Sequence, residues 1–90
     1  MEFEWDATKD ATNRAKHGVG LADAARPDWA TGIDQPDRRL DYGEERRVLY
    51  AHMGARVYVC VYTLCDRTIR VISLRKANKR EERFYASQRD

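Results

Sequence analysis

The chain has 90 residues, of which 36% are charged, and a formal net charge of +2 at pH 7. This length supports one hydrophobic core, so we expect a single domain over residues 1–90, which excludes a site built between domains. An acidic N-terminus, with no apolar run near the roughly 20 residues that cross a bilayer, is expected of a cytoplasmic protein without a signal peptide.

The N-terminal quarter predicts a strand followed by two helices. The letters "EFEW" at residues 2–5 alternate between polar and apolar, as in a short strand. The first helix begins after Asp6, a favourable N-cap, and ends at Gly18, which can adopt a left-handed exit. A second, shorter helix starts near Leu21 and stops before Pro27, because the residue before a proline disfavours helical geometry.

The rest of the chain predicts a loop, three strands and a closing helix. Residues 27–45 hold both prolines and little periodicity, so they predict a loop, with Trp29 as its anchor. A period of two then predicts an antiparallel meander of "RRVLYAHM", "RVYVCVYTL" and "TIRVISLRK". Asn78 and Glu81 match a capping box at the start of the last helix. The predicted fold is α+β: a small antiparallel sheet of about four strands, two N-terminal helices and a C-terminal helix.

The last hairpin predicts an RNA surface. If the "DR" break at residues 66–67 is a two-residue turn, Val59 pairs with Leu74 and Tyr58 with Arg75. The face opposite the core then presents four side chains, Tyr58, Tyr62, Ser73 and Arg75. Tyrosine rings can stack on unpaired bases and arginine can bind phosphate, although such side chains also occur on sheet surfaces without a function.

The distribution of charge along the chain also indicates the C-terminal end as a binding surface. Residues 1–66 carry 9 Lys and Arg against 12 Asp and Glu, whereas residues 67–90 carry 8 against 3. A basic end on a small domain indicates a protein that binds a polyanion, and solvated surface is the alternative reading.

Other sequence patterns give weaker indications of a metal site or a catalytic site. Cys60 and Cys65 lack the spacing of a zinc site or a disulfide scaffold, so no metal is expected. The "KHG" at residues 16–18 follows from helix termination, and His17 stays open as an acid or base. Glu44 and Glu45 have no visible partner carboxylate for a paired-acid hydrolase.

Five sequence blocks carry a more specific signal. They are "FEWD" at 3–6, "NRAKHG" at 13–18, "DYGEER" at 41–46, "VYT" at 61–63 and "RVISLRKANKREERFY" at 70–85. In this order and spacing they resemble the BrnT family of toxins from type II toxin–antitoxin systems. The resemblance implies a RelE-like fold, ribonuclease activity on RNA that halts growth, and a cognate BrnA-type antitoxin that binds both the toxin and operator DNA.

The resemblance also marks candidate residues for a reaction that needs no metal or cofactor, in which the ribose 2′-hydroxyl attacks the neighbouring phosphorus. Arg75 and Arg70 are candidates to stabilise the charge on phosphorus, although the predicted register puts Arg70 on the core side. Glu81 and Tyr85 have simpler explanations as a helix cap and as packing. The candidate catalytic residues are Arg70, Arg75, Lys76, Tyr85 and His17. The candidate RNA-binding residues are Lys16, Tyr58, Tyr62, Ser73, Lys79, Arg80 and Arg83, and matching positions also include Glu45 and Arg46.

Two other functions use the same basic end. A nucleic-acid-binding module without catalytic activity would bind RNA in a salt-sensitive way and leave it intact. An inactive interaction protein would use its cations to hold an acidic partner.

Overall fold

The computed structural model describes residues 2–38 and 45–89. The second part of the predicted loop lies outside these residues, and so do Glu44 and most of the "DYGEER" block. The elements are β1 (Glu2–Trp5), α1 (Ala7–His17), a 3-10 helix (Leu21–Ala25), β2 (Ile33–Pro36), β3 (Arg47–Met53), β4 (Arg56–Cys65), β5 (Thr68–Lys76) and α2 (Lys79–Arg89).

The five strands form one mixed sheet in the order β1-β5-β4-β3-β2. β1 runs parallel to β5, and the other neighbours are antiparallel. The α+β class and the three-stranded meander are therefore confirmed. Among the described residues, neither α-helix has the length and apolar composition that a membrane crossing demands.

Three details of the predicted architecture are wrong. The second N-terminal helix is a 3-10 helix of five residues, since Pro27 leaves too little chain for a longer α-helix. Residues 33–36, inside the predicted loop, form β2 at one edge of the sheet. Pro36 conceals this strand in the sequence, because proline fits a sheet only at such an edge. The sheet also has five strands and one parallel pair, which a short strand such as β1 does not reveal by its pattern.

The ends of α1 confirm the predicted caps. The Asp6 carboxylate accepts hydrogen bonds from the N–H groups of Thr8 and Lys9, at 2.8 and 3.0 Å. Gly18 exits the helix at a φ of 74°, in the left-handed region where glycine has no steric cost. Asp10 ties this helix to the next, because its carboxylate accepts the Leu21 N–H at 2.7 Å, and that hydrogen bond lowers the pKa of Asp10.

The buried side chain of α1 is Asn13, which is 5% exposed. Its amide nitrogen donates to the Leu74 carbonyl at 2.8 Å and to the Val19 carbonyl at 2.9 Å, and its amide oxygen accepts the Leu74 N–H at 3.2 Å. β1 pairs only with residues 68–71 of β5. At Leu74, beyond the end of β1, the Asn13 side chain therefore makes the hydrogen bonds that a neighbouring strand would make. The amide thus satisfies main-chain groups that would otherwise be buried without partners.

The sheet packs a core on each face. The N-terminal face includes Leu49, Cys60 and Val71, which pack against the 3-10 helix and Trp29. The Cys60 thiol is buried there, and burial raises its pKa to about 12. The other side, which we call the arginine face, has an apolar floor, with α2 packed on it through Tyr85 and with Ala77, just before the helix, also buried there. Its buried residues are Val48, Val57, Val59, Val61, Ala77 and Tyr85.

A bulge at Ile72 changes the register of the last hairpin. Near the turn the predicted pairing is confirmed, since Tyr62 pairs with Val71. Beyond the bulge, Ser73 pairs with Val61, and every later pair is shifted by one residue. An extra residue in one strand moves the following side chains to the other face. The predicted common face is therefore wrong: Ser73 and Arg75 lie on the arginine face, whereas Tyr58 and Tyr62 pack on the N-terminal face.

Candidate active site on the arginine face

Arg75 stands at the end of β5, where the strand leads into α2. Its Nη1 and Nη2 donate to the two carboxylate oxygens of Glu81 at 2.7 and 2.8 Å. This is the bidentate geometry in which two parallel hydrogen bonds fix a guanidinium plane. The Arg75 side chain is 27% exposed. The group is therefore held in one orientation while part of it stays open to solvent.

Glu81 also shapes the start of α2. Its carboxylate accepts the Asn78 N–H at 2.9 Å, and the Asn78 side chain accepts the Glu81 N–H at 2.8 Å. The predicted capping box is confirmed. One carboxylate thus fixes both the first turn of the helix and the arginine beside it, so the orientation of Arg75 depends on the local fold of α2.

These residues line a cavity of about 330 Å³, which we call the Arg75 cavity. Valines of β3 and β4 form its floor, and Arg80 and Glu81 lie at its α2 side. The opposite side includes Asp37, a carboxylate that is 8% exposed. The cavity therefore combines three guanidinium groups that can bind a phosphate, those of Arg38, Arg75 and Arg80, with two carboxylates.

A second hollow, which we call the α1 cleft, lies where α1 meets β5. Its volume is about 380 Å³. Lys16 and His17 line it from the helix, Ser73 lines it from the strand, and Arg46 reaches it from the segment before β3. The described residues thus divide the predicted functional side chains between two hollows. Arg75 and Arg80 share one, and Lys16, His17 and Ser73 share the other.

The other predicted functional residues lie apart from both hollows: Arg70, Lys76, Tyr58, Tyr62, Lys79, Arg83 and Tyr85. Lys76 pairs with Tyr58, which packs on the N-terminal face, so its side chain points away from Arg75. Arg70 lies at the other end of β5, where its Nε donates to Glu4 at 2.7 Å. Arg70 pairs with Thr63, on the face and near the strand end where the predicted register puts it, and its side chain is 51% exposed. The structure does not bring these side chains together with Arg75.

Tyr62 is enclosed on the N-terminal face. The residue is 3% exposed, and its ring meets Trp29 edge-on with centroids 5.1 Å apart. Its hydroxyl donates to the Asp34 carboxylate, which Arg47 also contacts at 3.0 Å. Burial, followed by the contact with Asp34, raises the pKa of Tyr62. This ring has no open face on which a base could stack.

Helix α2 presents its cations as predicted. Lys79, Arg80 and Arg83 are exposed, whereas Phe84 and Tyr85 turn toward the sheet. Tyr85 is 3% exposed and packs edge-on against His52, with centroids 5.1 Å apart. Within residues 2–38 and 45–89, the buried Tyr85 hydroxyl has no hydrogen-bond partner.

We therefore expect Tyr85→Phe to preserve both the fold and RNA cleavage. The substitution removes a hydroxyl that is buried without a described partner, so the free energy of unfolding should fall by no more than about 0.5 kcal/mol. Urea unfolding and a cleavage time course test this result. Loss of a general acid costs about a hundredfold or more, so a decrease of that size in a folded variant would identify Tyr85 as the proton donor.

Of Asp37, Glu81 and Arg46, which line these hollows, sequence reasoning missed Asp37 and named the other two as family-matching positions. Asp37 is in the predicted loop, where its carboxylate has no periodic pattern to mark it. Glu81 is recognisable as a cap, but its contact with Arg75 depends on the turn between β5 and α2. Arg46 is marked only by the resemblance. Across the described residues, His, Cys, Asp and Glu side chains do not assemble in threes that could hold a metal ion.

Comparison with models of protein families identifies the family of this chain. The model of a family described as "Ribonuclease toxin, BrnT, of type II toxin-antitoxin system" matches residues 5–81, most of the chain. The matched segment includes β5 and the start of α2, so Arg75, Arg80 and Glu81 all lie within it. A search of curated proteins finds no match.

Proposed function

The chain belongs to the BrnT family of ribonuclease toxins from type II toxin–antitoxin systems, and we propose that it cleaves RNA in the Arg75 cavity without a metal ion. The observation that carries this proposal is the bidentate contact between Arg75 and Glu81. It holds a planar cation in a cavity, in advance of any substrate. A fixed charge of this kind stabilises a transition state without a reorganisation cost.

The proposed reaction is an in-line transesterification within the RNA strand. The ribose 2′-oxygen attacks the adjacent phosphorus while the bond from phosphorus to the 5′-oxygen of the next nucleotide breaks. A 2′,3′-cyclic phosphate results, and the departing 5′-oxygen takes a proton from water to become a free 5′-hydroxyl. Arg75 stabilises the negative charge that develops on the phosphoryl oxygens, and Arg80 helps to hold the phosphate. Lys79 and Arg83, on the exposed side of α2, add long-range attraction to RNA.

Proton transfer from the 2′-hydroxyl needs a base in the same cavity. Two carboxylates line it, those of Glu81 and Asp37. We assign the proton acceptor to Asp37 because it lies away from the Arg75–Glu81 pair, and in the reaction it would exchange its present contact for the 2′-hydroxyl. His17 lies in the α1 cleft, so it is not the base in this arrangement.

Asp37→Asn is expected to lower kcat about a hundredfold, because a general base contributes roughly two to four orders of magnitude. Asp66→Asn is the matched control: Asp66 is exposed in the last turn at a φ of 59°, which asparagine tolerates. A kcat for Asp37→Asn within about twofold of that for Asp66→Asn would refute the assignment.

The activity itself is tested with purified protein, RNA and EDTA. We expect cleavage to continue in the chelator. Tight, salt-sensitive binding with intact RNA would favour a binding module without catalytic activity. Cleavage that EDTA stops and Mg²⁺ restores would refute the metal-independent mechanism.

We further propose that a BrnA-type antitoxin neutralises the protein by covering the arginine face. The toxin then reaches operator DNA only through its antitoxin. The single domain and its RelE-like fold act in the cytoplasm, where the RNA substrate is. A complex in which the antitoxin binds the N-terminal face and leaves Arg75 open would contradict this mode of inhibition.

A further inference from the structure

The α1 cleft concentrates positive charge outside the proposed catalytic cavity. Lys9 and Lys16 are exposed on the helix, and Arg46 lines the other side. Three hydroxyl groups, from Thr8, Thr12 and Ser73, line the space between them. Among the described residues that line the cleft, none is an aspartate or a glutamate. Lysines, an arginine and hydroxyl donors together match the oxygens of a phosphodiester chain.

The cleft adjoins the Arg75 cavity. Ser73 of the cleft pairs directly with Val61 of the cavity floor. Ser73 and Arg75 are two residues apart on β5, a rise of about 7 Å, which is close to the spacing of successive phosphates in an extended single strand. In addition, the Asp37 N–H donates to the Arg46 carbonyl at 2.8 Å. This main-chain hydrogen bond joins the segment that carries Asp37, which lines the cavity, to the segment that carries Arg46, which lines the cleft.

We propose that the α1 cleft is a second RNA-backbone subsite that binds the strand next to the scissile phosphate. This inference rests on the proposed function and adds the substrate class: single-stranded RNA of several nucleotides. Lys9 also lines the next hollow along β5, but Glu4 and Asp6 line that hollow too and Glu4 pairs with Arg70, so the positive charge is confined to the α1 cleft. His17 then serves to bind RNA.

The proposal requires that RNA length contribute to recognition. A dinucleotide has one phosphate and can fill only the Arg75 cavity. An octanucleotide with one ribonucleotide at the cleavage position, and deoxyribonucleotides elsewhere, fills both hollows but is cut at one place. We expect the wild-type protein to cleave the octanucleotide with a kcat/KM at least about tenfold above that for the dinucleotide.

The test variant is Lys9→Gln/Lys16→Gln, which removes two charges and keeps good helix formers on α1. Its kcat/KM for the octanucleotide should fall about tenfold, because two phosphate contacts are lost. Arg26→Gln/Arg67→Gln, which removes two exposed charges outside both hollows, is the control. Binding of an all-deoxy octanucleotide is measured in parallel as salt is varied. Two lost contacts should reduce the slope of log K against log salt by roughly 1.4 in the test variant.

The outcomes distinguish failure of the RNA subsite in the α1 cleft from failure of the proposed ribonuclease function. If the wild-type protein cleaves both substrates and the test variant loses no more than the control, the subsite is refuted. If the protein cleaves nothing, the proposed function fails, and the salt slope of binding still decides the subsite. A test variant that keeps its RNA slope but loses affinity for the antitoxin would assign the cleft to the protein partner and overturn the inference.

Discussion

Replacing Arg75 by glutamine is expected to lower the rate of RNA cleavage about a hundredfold, because one fixed donor at a developing charge is worth two to three orders of magnitude. Glutamine can still donate to Glu81, so α2 should keep its place. Arg75→Lys keeps the charge but loses the planar fork, and we expect a smaller decrease. Single-turnover cleavage with a saturating protein concentration measures the chemical step.

The matched control is the next residue in the chain. Lys76→Gln removes the same charge one position away, but Lys76 pairs with Tyr58 and points to the other side of the sheet. We expect its cleavage rate to stay within about twofold of the wild type, as for a surface substitution away from the site. Equal losses in the two variants would mean that net charge, and not the position of Arg75, governs cleavage.

Replacing Asn13 by alanine is expected to lower the free energy of unfolding by about 3 kcal/mol, because buried main-chain groups left without partners cost 1–3 kcal/mol each. The Leu74 N–H and carbonyl both lose their partner in this variant. Alanine is the better helix former, so local helix propensity would act in the opposite direction. Urea unfolding gives the value, and thermal unfolding should shift down by roughly 15 °C.

Gln88→Ala provides the control for Asn13, since it removes an amide from an exposed position on α2. A change within about 0.5 kcal/mol is expected there. If Asn13→Ala is equally mild, the amide does not stabilise the edge of β5. Asn13 also holds α1 beside Ser73, so partial loss of the fold should weaken RNA binding in the α1 cleft before it affects Arg75.

Local chemistry made parts of this fold predictable. The caps of α1 and the capping box of α2 depend on a few adjacent residues, and Asp6, Gly18, Asn78 and Glu81 act as their residue types indicate. The meander is also predictable, because alternating apolar residues leave one arrangement that buries them. The family resemblance supplied the function, which neither composition nor periodicity could give.

The register of the last hairpin shows where such reasoning stops. A period of two fits the strand on either side of Ile72, and the sequence does not mark the bulge. One extra residue exchanged the neighbours of Arg75 and moved Ser73 and Arg75 to the face opposite the tyrosines. β2 was missed for a related reason, since its pairing depends on the distant β3 and it includes Pro36.

The candidate site depends on the same long-range contacts. Arg75 was predictable from charge and resemblance, but its partner Glu81 looked like a cap alone. Asp37 enters the cavity because its N–H pairs with the Arg46 carbonyl, across residues that no local pattern connects. The division of Lys16, His17 and Ser73 from Arg75 likewise follows from the packing of α1 against β5.

The most direct test of this account is a structure of the protein with an octanucleotide that has 2′-deoxyribose at the cleavage position and cannot be cut. We expect a phosphate within hydrogen-bond distance of the Arg75 guanidinium, and the RNA backbone next to that phosphate in the α1 cleft. RNA bound on the N-terminal face, beside Lys76 and away from Arg75, would contradict it.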